Sequence, residues 1–156
     1  MKRTYSLMSL SDADPDQLSS DSDTDTGLYL KVVVVRDDAI IPRPILANGN
    51  ARKNVYELYS VEETLLIPYT WTLVKTGLSL ELPVDYYAVI SGRPELHGPD
   101  GNLENFIDVD IVVFYWAFRD ELQLGMLNNS DHEFKVEKGW AIGKITVEQL
   151  SRTIHL

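Results

Sequence analysis

The sequence predicts an all-β domain, a β-sandwich or jelly roll with little helix, on three observations. About ten short segments rich in β-branched and aromatic residues are separated by Gly, Pro and Asn turn signals. No stretch of ten or more residues repeats its apolar positions at the helical period. At 156 residues, 44% of them apolar, the chain is long enough for one domain with its own core.

Each predicted strand has its own local signal. Val32–Val35 is a β-branched run between charged ends, and Glu121–Leu127 alternates with Leu122, Leu124 and Met126 on one face. Phe106–Trp116 is almost continuously apolar, which predicts burial deep in a sheet or at a subunit interface. Eight of these segments are, in chain order, Lys31–Arg36, Tyr56–Val61, Tyr69–Thr76, Tyr86–Ile90, Phe106–Trp116, Glu121–Leu127, Phe134–Glu137 and Ile142–Val147.

The composition excludes several function classes. The chain has 14 Lys and Arg against 24 Asp and Glu, a net charge of −10, which disfavours nucleic acid and anionic membranes as partners. The sequence contains no cysteine, so disulfides and thiolate chemistry are excluded. His97, His132 and His155 are too far apart to suggest a metal site. We expect an intracellular protein without a resident metal.

The N-terminal segment, residues 1–27, is rich in Ser and Asp and poor in large apolar residues after Leu10. Such a segment buries too little surface to offset its ordering entropy, so it is predicted to be a disordered acidic tail before a domain at 28–150 and a short tail at 151–156. The tail either aids solubility or is phosphorylated, since four serines have Asp three residues later. These serines are Ser9, Ser11, Ser20 and Ser22.

Motifs in a fixed order and spacing follow along the domain. Residues 74–96 read V-K-T-G-L-S-L-E-L-P-V-D-Y-Y-A-V-I-S-G-R-P-E-L, Tyr56–Ser60 reads Y-E-L-Y-S, and Phe106–Val109 reads F-I-D-V. They resemble the motifs of the homotrimeric dUTPases, which include V-x-T-G-L, L-P-x-G-Y-Y-G, P-R-S-G-L and G-Y-D-L-Y-S. The resemblance implies a β-clip, or jelly-roll, fold. It also implies a trimer whose sites combine motifs from more than one subunit, and Mg²⁺-dependent hydrolysis of dUTP to dUMP and pyrophosphate.

The family's functional positions are altered in this sequence. In an ungapped register the carboxylate that activates water becomes Tyr115, and a phenol is a poor base at neutral pH. Pro94 and Glu95 stand where the family has Ser and Gly, which removes a donor and adds a negative charge near the phosphates. The altered and retained positions together form an expected vestigial nucleotide site, which Trp140 could fill: Glu57, Arg93, Pro94, Glu95, Tyr115, Phe118, Arg119 and Trp140.

These departures lead to three alternative functions. The first is a catalytically inactive dUTPase-like protein, without cofactor, that serves as an interaction module, similar to the dUTPase-derived early-region-4 proteins of adenoviruses. The second is a diverged nucleotide pyrophosphatase that uses Mg²⁺ and Asp108, Asp110 or Glu57. Asp108-Val109-Asp110 supports it, because with Ile107 it also reads as the family's I-D-x-D. The third is a structural protein.

The expected partners follow from the first alternative. Such a protein would be viral, act in the cytoplasm or nucleus of the host cell, and bind host proteins. Ile154-His155-Leu156 is an apolar–any–apolar end of the kind PDZ domains bind by strand addition. Phe114–Trp116 is either a subunit interface or an aromatic anchor for a partner. A homotrimer is expected from the resemblance, with a dimer or monomer as alternatives.

Overall fold

A computed structural model describes residues 2–9, 29–98 and 101–150. These residues form thirteen β-strands and one short 3₁₀ turn, Pro94–Leu96. The strands are β1 (Arg3–Ser9), β2 (Tyr29–Val34), β3 (Arg43–Ala47), β4 (Asn50–Tyr59), β5 (Thr64–Leu66), β6 (Trp71–Lys75), β7 (Leu78–Glu81), β8 (Tyr86–Ser91), β9 (Ile107–Val109), β10 (Val112–Tyr115), β11 (Gln123–Asn128), β12 (Phe134–Val136) and β13 (Ala141–Gln149). The predicted all-β class is confirmed.

The described strands form four antiparallel sheets. The largest has the order β10-β8-β13-β4-β3, and the others are β1-β2-β7, β6-β11-β9 and β12-β5. Strands distant in sequence therefore become neighbours. For example, β13 pairs with β4 on one edge and with β8 on the other. Within the described residues no helix is long and apolar enough to cross a membrane.

The core lies between the sheets and follows the period-two pattern of the strands. In β8, Tyr86, Ala88 and Ile90 are buried while the residues between them are half-buried. Ile90 lies opposite Ile145 of β13, which is also fully buried. Leu122, Leu124 and Met126 are buried together as their spacing predicts.

The apolar run at 106–116 differs from its prediction. It forms two strands in different sheets, because β9 pairs with β11 whereas β10 pairs with β8. The chain crosses between the sheets at Asp110 and Ile111, and the Asp110 N–H donates to the Gly125 carbonyl. The prediction of burial deep in a sheet is wrong, since Phe114 is buried but Ile111 and Tyr115 are 68% and 52% exposed in the single chain. An edge strand covered on one face buries only alternate residues.

The two ends of the chain are described only in part. β1 pairs with β2, so Arg3–Ser9 forms a strand within the segment that was predicted to be a disordered tail. Ser9, one of the predicted phosphorylation sites, ends this strand. Ser11, Ser20 and Ser22 lie outside the described residues, as does the predicted PDZ ligand Ile154–Leu156.

Candidate functional site

A pocket of about 490 Å³ opens where β8 ends, and we call it the β8 pocket. Its wall combines the turn after β8, the following loop and strand β9. The lining residues are Ser91–Pro94, His97, Asn105, Ile107–Val109 and Ile111. Gly92 allows β9 to approach, because a Cβ at this position would lie 2.9 Å from the Val109 Cβ. A larger residue at Gly92 would therefore push apart the two sides of the pocket.

Arg93 is the basic centre of the β8 pocket. Its Nη1 pairs with Oε2 of Glu57, and its Nε lies 3.7 Å from Oε2 of Glu95. The Arg93 and Glu57 side chains are only 15% and 22% exposed, whereas that of Glu95 is 64% exposed. Glu57 is fixed on β4, inside the largest sheet, so it anchors the loop that carries Arg93. The partial burial strengthens this charge-assisted contact.

Asp108 is the carboxylate on the pocket wall. It lies exposed on β9, and Asn129 Nδ2 donates a hydrogen bond to its Oδ2. Asn129 is itself fixed, because its N–H donates to the Phe106 carbonyl at 2.9 Å. Asp110 has a different local role, since its Oδ1 accepts a hydrogen bond from the N–H of Ile111 at 2.8 Å. Asp108 is thus the acidic side chain presented to the pocket.

Three polar residues near the β8 pocket were missed at the sequence level. His97 and Asn105 line it, and Asn129 holds Asp108. They belong to no local motif: His97 and Asn105 lie in a loop closed by a parallel bridge between His97 and Leu103, and Asn129 follows β11. Only the pairing of distant segments brings them together.

The predicted nucleotide-site residues divide into two groups. Glu57, Arg93, Pro94 and Glu95 gather at the β8 pocket. Tyr115, Phe118, Arg119 and Trp140 are not among its lining residues.

The second group lies elsewhere in the domain. Tyr115 lies opposite Tyr87, at the end of β10 away from the pocket, with 6.4 Å between the ring centroids. Phe118 packs on Phe114, and Arg119 donates to the Phe118 carbonyl at 2.8 Å. Trp140, which was expected to fill the nucleotide site, has its ring packed against Phe134.

Among the described residues, the acidic side chains form no metal site by themselves. Across residues 2–9, 29–98 and 101–150, no three His, Cys, Asp or Glu side chains come together as a metal site. Mg²⁺ is usually held by one or two carboxylates together with the phosphates of a substrate. The described lining of the β8 pocket holds no carboxylate cluster, so the mode of binding that these residues fit is an ion held mainly by the phosphates of a nucleotide.

Comparison with known proteins identifies the family. The family model described as dUTPase matches residues 42–156. The deoxyuridine 5′-triphosphate nucleotidohydrolase of Clostridioides difficile is 33% identical over 125 residues, covering 78% of this chain and 80% of that protein. The enzyme of the same name from swinepox virus is 32% identical over 127 residues, covering 81% and 83%. The chain belongs to the dUTPase family.

Solved structures agree on the fold. The dUTPase of Staphylococcus bacteriophage 80alpha superimposes with a TM-score of 0.65 at 16% identity, covering 81% of this chain and 93% of that one. A point mutant of the dUTPase from phage phi11 of S. aureus gives a TM-score of 0.65 at 14% identity, covering 81% and 94%. That structure is described as coordinating a structural Mg(II) ion. The likeness confirms the dUTPase-type jelly roll.

These relatives correct the functional prediction. A catalytically inactive interaction module is contradicted, because the relatives that match most of the chain are named as dUTP nucleotidohydrolases. They favour the alternative, a nucleotide pyrophosphatase. The ungapped register placed Tyr115 at the position of the water-activating carboxylate, whereas Asp108, a candidate acid of the alternative, lies on the pocket wall. The likeness to adenoviral early-region-4 proteins finds no support among these relatives.

Proposed function

We propose that this chain is a dUTP pyrophosphatase that acts at the β8 pocket and releases dUMP and pyrophosphate. One observation carries the proposal: an exposed carboxylate, Asp108, and an arginine, Arg93, line the same pocket in a member of the dUTPase family. Hydrolysis of this kind needs a base for the attacking water and positive charge for the phosphates. The two residues supply these two chemical requirements.

Asp108 is the proposed general base. A carboxylate accepts the proton of a water that attacks phosphorus, and positioned bases of this kind typically contribute about 10²–10⁴ in rate. The hydrogen bond from Asn129 occupies Asp108 Oδ2 and fixes the orientation of the carboxylate. Arg93 binds phosphate oxygen, and Mg²⁺ bound with the nucleotide would offset the charge of the triphosphate beside Asp108.

The position of Tyr115 is compatible with this assignment. It lies three residues beyond Val112 on β10, or about 10 Å along a strand that rises ~3.3 Å per residue. The tyrosine at position 115, where the ungapped register expects a carboxylate, therefore leaves Asp108 in place on the pocket wall. The resemblance to the homotrimeric dUTPases implies that each site also receives residues from a second subunit, so we propose that the active form is a homotrimer.

Assays of pyrophosphate release from dUTP, dTTP and dCTP with Mg²⁺ test the proposal. The wild-type chain should prefer dUTP, and Asp108→Asn should lower kcat at least about a hundredfold, as expected for loss of a base. Asp110→Asn discriminates between the two neighbouring acids and should keep most of the activity. Asp37→Asn, a change of the same charge on a distant turn, is the matched control.

Two outcomes would overturn the proposal. One is a wild-type preparation, shown by light scattering to be assembled, that releases no pyrophosphate from dUTP. The other is an Asp108→Asn variant that keeps wild-type activity.

A further inference from the structure

A tryptophan lies in line with Asp108 on one face of the sheet β6-β11-β9. Leu127 of β11 pairs with Trp71 of β6 on one side and with Asp108 of β9 on the other. Residues directly opposite each other in adjacent antiparallel strands share a face of the sheet. Adjacent strands are about 4.8 Å apart, so the backbones at Trp71 and Asp108 are about 10 Å apart across β11.

The indole of Trp71 lies over a position in β11 that has no side chain. A Cβ at Gly125 would lie 3.6 Å from Cε3 of Trp71 and 3.4 Å from the Cβ of Asp110. A larger residue at Gly125 would therefore fill the strip between the indole and the end of β9. The glycine keeps this strip open, from Trp71 on one side to Asp108 and Asp110 on the other.

This face of the sheet is exposed in the single chain. Trp71 is 55% exposed, whereas Leu124 and Met126 on the opposite face of β11 are buried. An indole presents a large apolar ring with a π face, and a nucleobase can stack on it. Asp108 and Asp110 are exposed beside the strip. Their negative charge disfavours an anionic group next to the indole, whereas an uncharged ring avoids this repulsion.

We propose that Trp71 is a stacking platform for the nucleobase of a nucleotide bound at the β8 pocket, with the α-phosphate of the nucleotide beside Asp108. The inference rests on the proposed function, because it takes the ligand of that site as given. One deoxyribose separates the base from the α-phosphate in a nucleotide, and the one strand β11 separates Trp71 from Asp108. Every base has a π face, so Trp71 adds affinity without choosing among the bases.

Indole fluorescence tests the contact directly, because the sequence has three tryptophans. The double variant Trp116→Phe/Trp140→Phe retains Trp71 alone. Its fluorescence should be quenched by the non-hydrolysable α,β-imido analogue of dUTP, whose base stacks on the indole. Inorganic triphosphate has no base and should not quench it. Fluorescence that stays unchanged while calorimetry shows the analogue bound overturns the inference.

Substitutions at two exposed positions of β6 measure the size of the contact. Trp71→Ala should weaken binding of the analogue about tenfold, a typical effect of removing a stacked aromatic ring, and leave inorganic triphosphate unaffected. Trp71→Phe should restore most of the affinity. Leu73→Ala truncates the exposed neighbour on the same face of β6 and should leave the affinity unchanged. Equal losses in Trp71→Ala and Leu73→Ala, or no loss in Trp71→Ala, overturn the inference.

The outcomes separate this inference from the proposed function. Release of pyrophosphate from dUTP without quenching of Trp71 overturns the stacking role and leaves the pyrophosphatase intact. Quenching by the analogue without any pyrophosphate release supports stacking and refutes the pyrophosphatase. A wild-type chain that does not bind the analogue, as measured by calorimetry, also overturns the stacking role.

Discussion

Two arginines in this protein each contact two carboxylates, but in different surroundings. Arg36 Nη1 lies 2.6 Å from Oε2 of Glu62, and its Nε lies 3.4 Å from Oδ1 of Asp38, with side chains 36–39% exposed. Arg93 and its main partner Glu57 are 15% and 22% exposed. The ion pairs are thus similar in chemistry and differ in their access to water.

The difference in exposure gives the two clusters different consequences. Water and salt screen the Arg36 cluster, so it contributes little to stability beyond joining the loop after β2 to the turn after β4. The Arg93 cluster is less hydrated, and removing one partner leaves a charge without its counter-ion. Arg93 also lines the β8 pocket, so its cluster borders the site proposed for the nucleotide.

Replacing each arginine by methionine gives the largest expected contrast. Arg93→Met should abolish detectable dUTP turnover and lower the free energy of unfolding by about 2 kcal/mol, because Glu57 loses its partner. Arg36→Met should leave turnover and thermal unfolding close to the wild type. Urea denaturation and pyrophosphate release measure the two effects. Equal losses of turnover and of unfolding free energy in both variants would contradict the conclusion that solvent exposure makes the two clusters differ in energetic effect.

Gly→Ala changes at two glycines, Gly143 beside the β8 pocket wall and Gly77 beside Arg36, should have a moderate effect on stability. A Cβ at Gly143 would lie 2.6 Å from the Ser91 carbonyl oxygen and from Leu124 Cδ2, whereas one at Gly77 would lie 2.9 Å from Ala39 Cβ and 3.3 Å from Arg36 Cβ. Gly77 also has a φ of +71°, which disfavours alanine. Each Gly→Ala change should cost about 1–3 kcal/mol of stability.

Only Gly143→Ala should also alter ligand binding at the β8 pocket. Gly143→Ala displaces Ser91 at the pocket wall and should also weaken triphosphate binding, while Gly77→Ala should not. Calorimetry on both variants, below their unfolding transitions, measures this. Weaker triphosphate binding in Gly77→Ala, but not in Gly143→Ala, would contradict the conclusion that Gly143 and not Gly77 supports the pocket wall.

The pH dependence of the exposed cluster is the smallest expected effect. A hydrogen bond from Lys138 Nζ at 2.8 Å, with a smaller contribution from Arg36, lowers the pKa of Asp38 below its ordinary value of 3.8. Because the folded pKa is depressed, the stabilisation is present above the ordinary value and is lost as pH falls through the folded value. Asp38→Asn should therefore lower Tm slightly near neutral pH, and the difference should vanish in acid. A difference that grows in acid would contradict this sign.

Prediction from sequence succeeded where the signal is local. The alternation in Glu121–Leu127 identified the buried face of β11, because side chains of a strand alternate between faces whatever the strand pairs with. Phe106–Trp116 was mispredicted because local apolarity does not say which partner strand each half will find. Likewise Arg93 was recognised in its motif, but its contacts with Glu57 were not, since the two residues lie on separate segments of the chain.

The sequence by itself determined the all-β class, many of the strands and the dUTPase family, because residue preferences and motif spacing are properties of the chain. Tertiary structure alone decided that Asp108 and Arg93 share a pocket, that Tyr115 lies at the other end of β10, and that Trp71 lies in line with Asp108 across β11. Those relations depend on pairing between distant strands. Pairing is set by how the whole core packs, a cooperative property that no single segment carries.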